Sequence, residues 1–425
     1  MKRYDEMTRE ELENEIAELT ALYGERKGLG LKLDMSRGKP GADQLMLCDD
    51  MLTMPLTAED FIGSADYRNY GLLDGIPEAK KMFADLLGVP AANVFVGGNS
   101  SLNLMYDTVS RAMLYGFDGE TPWSRLPKVK FLCPAPGYDR HFAICESFGI
   151  EMIPVVMHED GPDMDEVEKW VNCDSSVKGI WCVPKYSNPD GITYSEETVR
   201  RFAGLKPAAK DFRIFWDNAY AVHELYPQGD SLANLFELLR KDGKENMMYM
   251  FASTSKISYP GAGVSVFVTG ERNMAEAKKI MSVQTIGFDK LNQLRHVKYF
   301  KNAENIRAHM QRLADTLRPK FDAVIESFDR VLSPLGIAKY HRPRGGYFVS
   351  LYITSGCASE VFRLAKEAGV TLTGAGATYP YKKDPADSNL RIAPTYPSLE
   401  ELKQSLDVLC ICVRLACAKK ILETR

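Results

Sequence analysis

The residues best placed to do chemistry in this chain lie in Phe251-Ala-Ser-Thr-Ser-Lys-Ile-Ser-Tyr-Pro-Gly-Ala-Gly263, where Lys256 follows three hydroxyl residues and precedes a glycine-rich turn. A neutral amine can attack a carbonyl and an ammonium cannot, so a lysine becomes a nucleophile where water is kept from it. Lys256 has no acid near it in the sequence, and apolar runs flank its turn, Met247 to Ala252 before and Val264 to Val268 after. Both runs read as buried strands. A lone loop lysine more often only meets solvent, so the reading depends on what else the chain brings to the same place.

Other stretches carry polar groups at turns. Val94-Phe-Val96 reads as a strand, and Gly97-Gly-Asn-Ser-Ser101 passes from it into a helix beginning near Leu102. Free amides and the positive helix end then point the same way, with Asn99, Ser100 and Ser101 beside them, which suits an anion; an ordinary N-cap would use the same residues. Gly38 and Pro40 make a turn that exposes Arg37 and Lys39 on a loop. Tyr70 precedes Gly71 in a glycine-punctuated loop that ends at Pro77 and Glu78, the first turn of a helix running to Leu87. Tyr70 is either a packed loop aromatic or a phenol offered to a site.

The elements that must position these groups repeat between residues 128 and 268. Short runs rich in Val, Ile, Phe and Met occur at Val129–Cys133, Met152–Val156, Gly179–Val183, Arg213–Trp216, Met247–Phe251 and Val264–Val268, most of them separated by helix-length stretches. The pattern predicts an α/β fold with a mostly parallel central sheet covered by helices, and ligands collecting where the strands end. Polar clusters sit at those ends: Pro134 to Tyr138, Ser187 to Gly191, Asp217-Asn-Ala-Tyr220 and Ser253 to Lys256. Downstream, Leu291 to Val331 is helical in composition, interrupted only by Pro319, and is expected to cross between domains. Arg342 to Leu351 reads as a loop entering a strand, and Asn389 to Pro394 as another strand carrying Arg391. Capping boxes at Thr8–Glu11 and Ser398–Glu401 mark the first and last helices. The last third thus reads as a smaller α+β unit.

Composition excludes several classes. The 425 residues are 45% hydrophobic and 26% charged, ordinary for a globular protein. A formal net charge of -4 offers no field for nucleic acid or an anionic membrane. Nine scattered cysteines show no metal-binding spacing and read as free thiols in a reducing compartment. No signal peptide or membrane span is visible, so a cytoplasmic protein is expected.

Six motifs, Gly-Asn-Ser-Ser101, Pro-Gly-Tyr138, Asn188-Pro-Asp-Gly, Asp217-Asn-Ala-Tyr220, Ser253-Thr-Ser-Lys256 and Arg391, stand in the order found in class I aminotransferases of the fold type I pyridoxal phosphate enzymes. The resemblance runs from Gly38 to Arg391, and within that family the sequence is similar to the aspartate aminotransferase subgroup related to MocR-like proteins. It implies that Lys256 is joined to the aldehyde of pyridoxal 5'-phosphate and, once displaced by the substrate amine, moves a proton. It further implies Asp217 at the pyridine nitrogen, Asn188 and Tyr220 at the phenolic oxygen, and Tyr138 against the ring face. Asn99, Ser100, Ser101, Ser253 and Ser255 would hold the phosphate, and Arg391, helped by Gly38, the substrate α-carboxylate. Tyr70 would reach the phosphate of the neighbouring subunit of a homodimer. The implied domains are 50–320 for the large cofactor-binding unit and 1–49 with 321–425 for the small one.

Two departures from the family pattern stand out. Many relatives follow the lysine with Pro-Gly-Leu-Arg, whose arginine grips the phosphate; here Pro260-Gly-Ala-Gly263 puts glycine there. The amides of this turn are one substitute, another basic residue a second. No clear match exists for the arginine that reads a dicarboxylate side chain; Arg37, Lys39, Lys290 and Arg344 are the candidates. The expected activity is transfer of an amino group from an amino acid, aspartate or glutamate, to a 2-oxo acid by a ping-pong mechanism. An aromatic-preferring aminotransferase or a β-lyase would share Lys256 and Asp217. A MocR-like effector domain is disfavoured, because fewer than forty residues precede Gly38 and none form a basic recognition helix.

Overall fold

Residues 2–425 are described by a computed structural model. Its strands, in chain order, are β1 (Leu33–Asp34), β2 (Val94–Val96), β3 (Lys130–Ala135), β4 (Glu151–His158), β5 (Gly161–Pro162), β6 (Val177–Cys182), β7 (Arg213–Asp217), β8 (Met248–Ser253), β9 (Ser265–Thr269), β10 (Ala338–Tyr340), β11 (Val349–Ile353), β12 (Val370–Thr371) and β13 (Asn389–Ile392). Eight of them form the central sheet in the order β2-β9-β8-β7-β6-β3-β4-β5. The neighbours from β8 through β4 pair in parallel. β9 runs antiparallel to both β8 and β2, so β2 points the same way as β8. The carboxyl ends of β2, β3, β6, β7 and β8 therefore open on one edge, as the sequence pattern predicts.

Both faces of this sheet are covered at its centre, so β6, β7 and β9 are buried along their whole length, whereas β4 near the edge alternates between buried and more exposed residues. Alternate residues sort to opposite sides. Phe95, Phe131, Trp181, Phe215, Phe251 and Phe267 make an aromatic layer on one face. Val94, Leu132, Ile180, Trp216 and Met250 pack on the other. Rings in the aromatic layer lie close, with Phe131 and Phe215 centroids 5.3 Å apart and Phe95 and Phe267 at 4.7 Å. A stiff platform results, and the site stands on its rim.

A second sheet, β10-β11-β13, is antiparallel and sets Ser350 opposite Arg391. β1 pairs in parallel with β12. The first helix, Arg9–Gly28, packs along the last, Leu399–Glu423, where Arg414 meets Glu15 at 2.6 Å and Arg26 meets Asp407 at 2.6 Å. Both capping boxes form, at Thr8–Glu11 and at Ser398–Glu401. The expectation for residues 291–331 is corrected in one respect. The break falls at Lys301 and Asn302, between helices Lys290–Phe300 and Ala303–Val331, and Pro319 sits inside the second helix. Lys301 has φ +67° and Asn302 caps the new helix through Asn305 N–H. No described helix is long and apolar enough to cross a membrane, and no cluster of metal-ligating side chains occurs among the described residues. All nine cysteines are free, and Cys173 alone is exposed.

Candidate active site

The carboxyl edge of the sheet borders a cavity of about 580 Å³. Arg37, Gly38, Asn99, Ser100, Ser101, Tyr138, Asn188, Asp217, Tyr220, Ser253, Ser255, Lys256 and Arg391 all line it. Four of the singled-out residues do not, Lys39, Tyr70, Lys290 and Arg344. Lys39 holds its ammonium 3.7 Å over the Tyr396 ring, and Tyr70 is 81% exposed on its loop.

Lys256 follows the end of β8 in a loop pinned by Thr254. The Thr254 N–H donates to the Val264 carbonyl at 2.8 Å, and its hydroxyl accepts from the Val264 N–H at 2.9 Å. This fixes the direction of the lysine. Its Nζ stands 4.9 Å from the Tyr220 ring centroid and 5.8 Å from that of Tyr347. Burial pushes the amine's pKa down, opposed by the Asp217 carboxylate. The acid missing from the lysine's sequence neighbourhood is thus supplied across the sheet, by the next strand.

Asp217 is the last residue of β7 and is 3% exposed. Its Oδ2 lies 3.1 Å from His141 Nε2. The His141 ring is stacked on Trp181 with centroids 4.4 Å apart and meets Tyr138 edge-on at 4.9 Å. The other carboxylate oxygen, Oδ1, is buried without a partner. Leaving such an acceptor unpaired costs about 1–3 kcal/mol, so it marks a place where a donor is to be received. Tyr138 and Tyr220 have their phenol pKa values pushed up, chiefly by burial, and remain protonated donors. His141 escaped the sequence reading because one histidine on a helix face carries no spacing signal.

At the opposite wall, Ser100 is the N-cap residue of the 15-residue helix Ser101–Tyr115, yet its side chain makes no capping hydrogen bond. The first-turn amides are therefore not consumed by an ordinary cap, which favours the anion-site alternative. Ser253 and Ser255 hydroxyls lie 3.0 Å apart, and Ser255 donates to the Asn99 carbonyl at 3.1 Å. A side chain at position 263 would crowd this wall: a Cβ on Gly263 would stand 3.3 Å from the Ser255 nitrogen and 3.1 Å from the Tyr259 carbonyl oxygen. Ala262 and Gly263 carbonyls are held by Asn292 Nδ2 at 2.9 and 3.1 Å.

Arg391 projects from β13 with 8% exposure. Its Nη1 donates to Asp139 Oδ1 at 2.8 Å and to Asn188 Oδ1 at 3.3 Å, while Nε and Nη2 share the Thr373 hydroxyl at 3.3 and 3.2 Å. Phe348 covers the guanidinium face, 4.9 Å from the ring centroid. Gly38 is required beside it, since a Cβ there would fall 2.2 Å from the Phe348 ring. Of the cations suggested for a distal carboxylate, Arg37 reaches the cavity and the others are occupied elsewhere. Lys290 donates to the Gly71 carbonyl at 3.1 Å, and Arg344 is bound to the Gln228 carbonyl and stands 3.6 Å from Asp230. Arg140, not singled out in the sequence, also lines the cavity. Among the described residues neither Arg37 nor Arg140 has an ion-pair partner.

The arrangement fits a flat, anionic, aldehyde-bearing ring such as pyridoxal phosphate. The unpartnered Asp217 Oδ1 suits a ring N–H, the uncapped helix start suits a phosphate, and the desolvated Lys256 amine suits an aldehyde. Comparison with known proteins points the same way. The profile of the family described as aspartate amino-transferase matches residues 7–425. An aspartate aminotransferase of Corynebacterium glutamicum is 45% identical over 430 residues, covering 99% of both chains. A crystal structure of an aspartate transaminase from Corynebacterium glutamicum superposes with a TM-score of 0.94 at 44% identity, again over 99% of each chain. An α-aminoadipate aminotransferase from Thermus thermophilus, solved in complex with N-(5'-phosphopyridoxyl)-L-leucine, shares the fold with a TM-score of 0.73 at 20% identity over 93% of this chain and 94% of its own.

Proposed function

The chain belongs to the aspartate aminotransferase family, pyridoxal phosphate enzymes that transfer an amino group between an amino acid and a 2-oxo acid in two ping-pong half-reactions, and from that premise we propose that its amino donor is aspartate or glutamate. When bound, pyridoxal phosphate supplies an aldehyde that captures amines and a ring that takes up the electron pair left when an α-proton departs. The protein's own residues do the rest. Lys256 would take the proton from the substrate α-carbon, and burial, which pushes its pKa down, favours the neutral amine that this needs. Asp217 would hold the protonated ring nitrogen, its carboxylate fixed by His141 at 3.1 Å. Asn188 and Tyr220, which line the cavity, would donate to the phenolic oxygen, and Tyr138 would pack on the ring. Asn99, Ser100, Ser101, Ser253 and Ser255 would hold the phosphate. Arg391 takes the α-carboxylate with Gly38 beside it.

The observation that carries this reading is a desolvated lysine and an aspartate with one orphaned oxygen facing the same cavity. The dicarboxylate preference is supported by Arg37 and Arg140, two cavity cations without ion-pair partners among the described residues. The reading includes large and small units at 50–320 and at 1–49 with 321–425. It also includes a homodimer in which the exposed Tyr70 reaches the partner's phosphate, and a cytoplasmic location, which nine free cysteines favour. A half-reaction screen tests it: the yellow holoenzyme is mixed with each amino acid and the loss of imine absorbance followed. Aspartate and glutamate should bleach it, and Lys256→Ala should abolish turnover. A clear preference for phenylalanine or tyrosine would replace the dicarboxylate reading with an aromatic one.

A further inference from the structure

We propose that Asp139 sets the affinity of the substrate site, its carboxylate competing with the substrate's α-carboxylate for Arg391. The inference rests on the reading of Arg391 as the carboxylate site. Arg391 divides its donors unequally. Thr373 and Asn188 are neutral acceptors at 3.2–3.3 Å, whereas Asp139 is charged and stands at 2.8 Å. All of these bonds have a charged donor, but only Asp139 adds an opposite charge on the acceptor and the shortest distance, so Asp139 is the firm partner. A second carboxylate approaching Nη1 meets an anion already there.

The two partners differ in freedom. The Arg391 guanidinium is only 8% exposed and is held by Phe348 and Thr373, while the Asp139 side chain keeps 33% of its surface. Asp139 is the first residue of helix Asp139–Ser147, where the positive helix end still favours its charge when it turns away from Arg391. The arginine therefore stays and the aspartate yields. Until it does, the pair is neutral, and binding of a substrate carboxylate is weaker by the strength of the pair it displaces. Asp139 thereby sets how tightly the site holds any α-carboxylate and raises KM.

Titration of the holoenzyme with maleate, an unreactive dicarboxylate, reads this directly, alongside KM and kcat for the amino donor. Asp139→Asn keeps an oxygen acceptor for Nη1 but removes the charge. It should tighten maleate about fivefold and lower KM by a similar factor, a larger change than in kcat. Asp139→Glu restores the charge and should return both constants towards those of the parent. Asp139→Asn with unchanged or weaker maleate binding overturns the competition. Arg391→Lys separates the two levels: a loss of maleate affinity upholds the carboxylate site whatever Asp139 does, and undiminished affinity removes the premise.

Discussion

Single side chains here are set by close approach rather than by long-range design. Gly38 shows it: the turn passes so near Phe348 that a methyl group would overlap the ring, and that ring is the lid on Arg391. Gly38→Ala should push Phe348 off the guanidinium at a cost of about 1–3 kcal/mol in local packing. The measurable result is a KM for the amino donor raised about tenfold with the fold intact by circular dichroism. An unchanged KM would show that the Phe348 ring plays no part in holding Arg391. At this scale the sequence reveals residues that end strands or interrupt them, such as Asp217, Lys256 and Arg391. It conceals those that act from the side, His141, Asp139, Arg140, Thr373 and Phe348, because their contacts come from other elements and leave no spacing behind.

Among the elements, the strands of the central sheet were readable because burial on both faces fills their middles with apolar residues. The two-residue β12 and the three-residue β10 were not, since neither carries the unbroken apolar triplet that marks β2. Pro319 misled for a related reason: a proline removes one donor, but the apolar face of a 29-residue helix outweighs that loss, while the true break needs only Lys301 and the Asn302 cap. The loop after β6 is tied to β11 by Asp190, whose carboxylate accepts from Tyr352 at 2.9 Å. Burial lifts this carboxyl from 3.8 to about 6. A folded pKa above the unfolded one means a contribution fully present below pH 3.8 and lost as pH rises through about 6. Asp190→Asn should therefore stabilise the protein at pH 8, by up to about 3 kcal/mol, and lose that advantage near pH 4. Thermal melts at the two pH values decide it; equal shifts at both would show that the charge is not the cause.

At the level of the whole molecule, buried histidines work in the opposite sense. Burial lowers His223 to about 3 and His296 to about 4, and His309 is lowered as well. Their contribution is present above pH 6.5 and is lost as pH falls through these folded values. Each adds up to about 1.4 kcal/mol per pH unit across that window. Urea unfolding midpoints should drop steadily from pH 7 to pH 5, and a flat profile would mean these rings are not neutral in the native state. The packing of the first helix against the last also has a bearing on how the protein is made. Glu15 and Arg414 are separated by 399 residues, so on the ribosome the first helix emerges long before the surface it must lie against. The wall carrying Arg37 and Gly38 follows directly on β1, whose partner strand β12 is also made late. That wall of the cavity is thus among the last parts of the molecule to be completed.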